Sequence, residues 1–108
     1  MSKSHDKAIL AAWLRFTGGT LEALAGQTGI GAGKLQAFAR GPWPLPTHKR
    51  DTFAAHCRAG LRAAYRQALG ATLRDEELRT DPNVQRFLRE LADAYRALFG
   101  ADVAKEVT

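Results

Sequence analysis

The twenty residues Leu21-Glu22-Ala23-Leu24-Ala25-Gly26-Gln27-Thr28-Gly29-Ile30-Gly31-Ala32-Gly33-Lys34-Leu35-Gln36-Ala37-Phe38-Ala39-Arg40 read as two short helices laid across each other at a tight turn. Ala25, fifth in the run, is small enough to let two helix backbones approach closely. Gly29, ninth, falls where the chain must reverse, and glycine enters the left-handed region without steric cost. Leu24, Ile30, Leu35 and Phe38, at the fourth, tenth, fifteenth and eighteenth places, form an apolar wedge between the two rods. The spacing predicts helices over Leu21 to Thr28 and Ala32 to Arg40, with Gly29-Ile30-Gly31 as the turn.

The flanks punctuate this unit. Upstream, a first helix is predicted from about Ser4 to Phe16, with Ile9, Leu10, Trp13 and Leu14 on one face. Thr17-Gly18-Gly19 ends it, and Thr20 caps the next helix through its hydroxyl. Downstream, Gly41 stops the third helix. Gly41-Pro42-Trp43-Pro44-Leu45-Pro46 is not helical, because each proline lacks an amide donor and extends the residue before it. It is expected to be a rigid loop with Trp43 and Leu45 packed down, and both Trp13 and Trp43 are read as core.

Thr47 is expected to cap a long fourth helix, about His48 to Leu69, with Phe53, Cys57, Leu61, Ala64, Tyr65 and Ala68 as its apolar stripe. Gly60 inside it marks a bend or a close helix contact, and Gly70 closes it. A short turn or helix near Asp75 to Arg79 follows. Asp81-Pro82 then starts a fifth helix, Pro82 to Phe99, ended by Gly100. Its stripe is Val84, Phe87, Leu88, Leu91, Ala92, Tyr95 and Leu98. Residues 101–108 are expected to be a frayed tail. The fold class is all-α: a single-domain five-helix bundle with a long C-terminal helical hairpin.

At 108 residues the chain is long enough for one core without disulfides or metals. An apolar content of 45% and a charged content of 25% exclude wholesale disorder. Charge is asymmetric. Residues 1–70 hold ten basic against three acidic side chains, net +7, and residues 71–108 hold six against eight, net −2. The basic part suits a polyanion. Cys57 is the sole cysteine, so it forms no internal disulfide, and His5, His48 and His56 have no metal-ligand spacing. A reducing, cytoplasmic setting is expected, without signal peptide or membrane span.

The ordered combination resembles the lambda-repressor-like (Cro/repressor type) family of helix-turn-helix proteins over about residues 6–60. The similarity rests on the preceding helix, the Leu24-Ala25 to Gly29-Ile30 run, the Arg40-Gly41 step and the Pro46-Thr47 start of the next helix. It implies a transcriptional-regulator-like protein that binds double-stranded DNA. Helix three would enter the major groove while helix two lies across the backbone. Candidate base contacts are then Ala32, Lys34, Gln36, Ala37 and Arg40: Arg and Lys suit guanine, Gln suits adenine, and alanine touches a thymine methyl. Candidate phosphate contacts are Thr20, Gln27, Gly31, Gly33, Lys49 and Arg50. Lys49 and Arg50 stand where the dipole of helix four disfavours cations, which either a phosphate there compensates or chance placement explains. Two positions depart from the family pattern. Leu21 stands where a polar phosphate contact is frequent, and Gly31-Ala32-Gly33 opens helix three with almost no side-chain chemistry.

Residues 61–108 lie outside the resemblance. Their apolar surface serves either to complete a monomer core or to form a homodimer through helices 48–69 and 82–99. The alternative function is a protein–protein interaction or adaptor module on a degenerate helix-turn-helix scaffold, and RNA is a weaker alternative partner. No acid, base and nucleophile set converges. His56 and Cys57 are helix neighbours that point apart, so no enzymatic activity, cofactor, metal or small-molecule substrate is expected.

Overall fold

The computed structural model describes residues 3–100, and the expected tail at 101–108 lies outside the described residues. The elements are α1 (Lys3–Thr17), α2 (Leu21–Thr28), α3 (Ala32–Arg40), a 3-10 turn (Thr47–Lys49), α4 (Arg50–Arg74), α5 (Glu76–Thr80) and α6 (Pro82–Phe99). No strand occurs among the described residues. This is an all-α bundle, with six α-helices among the described residues where the sequence predicts five, because the segment after Asp75 forms a helix of its own.

Local chemistry explains the first three helices. The Thr20 hydroxyl accepts a hydrogen bond from the Ala23 amide at 3.1 Å and so caps α2. Gly29 closes α2 with φ of 76°, and its amide donates to the Ala25 carbonyl at 3.0 Å. Leu24, Ile30, Leu35 and Phe38 are all buried in one cluster with Ile9, Leu10, Trp13, Leu45, Phe53 and Cys57. The Phe38 ring meets Phe53 edge-on, with centroids 6.1 Å apart. Lys7 reaches from α1 to the far end of α3. Its ammonium donates to the Gly41 carbonyl at 2.7 Å and sits 5.7 Å from the centre of the Phe38 ring.

A second cluster joins Ala12, Phe16, Leu61, Leu91 and Tyr95, and Leu98 and Phe99 pack against both clusters. From the expected stripe of α6, Leu91 and Tyr95 are buried in this cluster and Phe87, Ala92 and Leu98 pack against it. Trp13 ties α1, α4 and the entry to α2 together. A Cβ on Gly60 would lie 2.7 Å from its indole Nε1, and one on Gly19 would lie 2.3 Å from its six-membered ring. Gly60 therefore marks a close contact, one of the two meanings its place in the sequence allowed.

Three expectations are corrected. Helix four starts later and ends later than His48 to Leu69: α4 runs through Gly70 to Arg74. A glycine inside a helix costs about 1 kcal/mol, and here packing outweighs it. Thr72, two residues beyond, is buried, and its carbonyl receives Arg79 Nε from α5. Asp75 then ends α4 and caps α5, accepting from the Glu77 amide at 2.9 Å. Thr47 does not cap α4: it opens the 3-10 turn, and neither that turn nor α4 has a side-chain cap. Leu45 is buried as expected, but Trp43 is not packed down; it is 67% exposed. Pro46, at φ −56° and ψ 131°, keeps polyproline-like geometry.

Glycine positions give opposite-signed tests. Gly60→Ala forces a methyl onto Trp13 and should lower stability by about 1–2 kcal/mol despite the better helix former. Gly26→Ala, inside α2 with nothing within 4 Å of the new methyl, should raise stability by about 0.5–1 kcal/mol. Urea unfolding of both variants checks the pair.

Candidate nucleic-acid interface

With Leu35 and Phe38 buried, the opposite face of α3 is fixed by helical periodicity. Gly33, Gln36, Ala37 and Arg40, at i, i+3, i+4 and i+7, share it. Gly33 and Arg40 are exposed and Gln36 and Ala37 half-buried. Ala32 and Lys34 are exposed on its flanks. Gly31 caps α3 with extended backbone and no side-chain hydrogen bond, so the first turn presents bare backbone beside small side chains. Neither Lys34 nor Arg40 makes a hydrogen bond or ion pair with any described residue. Residues 23–50 contain no Asp or Glu at all.

The other candidates divide. Lys49 arrives from the 3-10 turn at the α2–α3 corner: its Nζ lies 3.1 Å from where a Cβ on Gly29 would sit. Gln27 and Gly31 are exposed near that corner. Thr20 is exposed, but its hydroxyl is engaged by the Ala23 amide. Arg50 departs from its expected role. Its Nε donates to Asp6 Oδ2 at 2.8 Å, and Asp6 is almost wholly buried. The compensation sought for a cation at the start of α4 is thus supplied by a carboxylate inside the fold.

Trp43 was missed as a functional candidate. A groove of about 570 Å³ runs between α3 and the proline loop, lined by Gly33, Lys34 and Ala37 on one wall and Trp43 to Thr47 on the other. The signal was present in the flanking prolines, Pro42 and Pro44, which hold the backbone of Trp43 without requiring its side chain to be buried.

His56 and Cys57 do not form a reactive pair. Cys57 is fully buried in the first cluster, and burial pushes its thiol up to about 12. Among the described residues no group of His, Cys, Asp and Glu could hold a metal ion, and no helix is long and apolar enough to cross a membrane. No protein-family model, no curated protein and no solved structure matches the chain.

Two outcomes follow for Cys57. An aromatic disulfide reagent at pH 8 should modify it only at the rate of unfolding, not at that of a free thiol. Because its folded pKa lies above the unfolded 9.0, burying the neutral thiol stabilises the fold fully below pH 9. That contribution declines as pH rises toward 12. Cys57→Ala should flatten the alkaline arm of a stability–pH curve.

Proposed function

We propose that this protein is a DNA-binding, transcriptional-regulator-like protein that lays α3 into the major groove of a duplex as the second helix of a helix-turn-helix. The observation that carries the reading is the outward face of α3: Lys34 and Arg40 are exposed and uncommitted in a segment without an acidic side chain. Counterion release by such cations supplies affinity, and their contacts with base edges supply sequence preference. The bare first turn of α3 lets the backbone come close to the duplex, and Lys49 at the corner is placed for a phosphate. With few base-reading side chains, most of the binding energy is electrostatic. Two chains on one duplex would add avidity and set two α3 helices about 34 Å apart. Leu69 and Leu73, exposed near the end of α4, are apolar residues that such pairing would cover.

A second reading, an adaptor that holds a protein partner, draws on the apolar groove beside α3. The two separate cleanly by salt. Selection from a random duplex pool, followed by titration at several salt concentrations, should give affinity that falls steeply with salt. Lys49→Ala should weaken all sequences alike and lower the salt slope by about one, whereas Lys34→Ala and Arg40→Ala should also change preference among sequences. An adaptor would show neither effect.

A further inference from the structure

We infer that Trp43 is a DNA-backbone contact, its indole lying over a deoxyribose at the edge of the groove that α3 enters while Nε1–H donates to a phosphate. The inference rests on the DNA-binding reading and extends it to a residue outside α3. Trp43 is 67% exposed, whereas Leu45, two residues on, is buried and anchors the loop. The core therefore does not need the indole. Pro42 fixes its own φ and Pro44 holds Trp43 toward extended geometry, so the backbone that carries the ring has less freedom to lose on binding. The groove beneath it shares Gly33, Lys34 and Ala37 with α3, so whatever fills the groove meets α3 as well.

The chemistry of that groove selects the occupant. Its lining carries one cation, Lys34, and no carboxylate, and its remaining side chains are apolar apart from the Thr47 hydroxyl. His48 and Lys49 follow directly. A sugar–phosphate strand alternates an apolar ring with an anion at the same scale. Tryptophan matches it with an apolar face and a single N–H donor.

Trp43→Ala and Trp43→Phe test this in the full chain, with thermal melts to confirm folding. Trp13 is buried, so acrylamide quenching of fluorescence reports Trp43. A duplex recovered by selection should shield Trp43 from acrylamide. Trp43→Ala should weaken binding about tenfold for every duplex, and Trp43→Phe should recover part of the loss. An affinity within twofold of wild type for Trp43→Ala, or undiminished quenching in the complex, overturns the inference while leaving α3 binding intact through the Lys34→Ala effect. Shielding that grows with protein concentration in the absence of DNA also overturns it, because the groove then holds protein. Failure of the wild-type chain to bind any duplex overturns both this inference and the reading beneath it.

Discussion

Leu35 and Phe38 decide which way α3 faces. A helix of nine residues is too short to be stable alone in water, so its existence and its orientation both come from the apolar side chains it buries. Phe38 is held edge-on by Phe53 and covered by Lys7, while Leu35 packs among Leu24, Ile30 and Ile9 in the same cluster. Once those two residues point inward, Gly33 and Arg40 come to the opposite, exposed face, with Gln36 and Ala37 half-buried beside them. The proposed function draws on that geometry.

The rest of the molecule serves as a frame for that short helix. Lys7 bonds the carbonyl just beyond its last turn, Gly29 makes the sharp corner before its first, and Leu45 anchors the loop that leaves it. α1 and α4 are locked together by Trp13 between two glycines and by the Asp6–Arg50 pair. α6 closes the far end with Leu91 and Tyr95. The exposed Arg15–Glu90 pair between α1 and α6 adds little, since both partners remain in water.

The helices were legible because glycine, proline and capping residues mark their ends. α2 and α3 have the bounds that Thr20, Gly29 and Gly41 imply, and α6 starts where Asp81-Pro82 signals. The end of α4 was not legible. Gly70 is a local stop signal, but α4 continues past it to buried Thr72, whose carbonyl takes the Arg79 Nε from α5, and neither feature leaves a mark at Gly70 itself. The pairing of Arg50 with Asp6 was not legible either, because the two lie far apart in sequence. Hydrophobicity alone does not place Trp43, because one anchor, Leu45, suffices to hold the loop and the indole is left exposed. Within α3 the pattern was informative, since burial at i and i+3 fixes the opposite face.

The most direct measurement is an amide chemical-shift map recorded while a selected duplex is added. The account predicts perturbations concentrated at Gly33, Lys34, Gln36, Ala37 and Arg40, extending to Lys49 and fading as salt is raised. Shifts confined to α5 and α6, or none along α3, would contradict it.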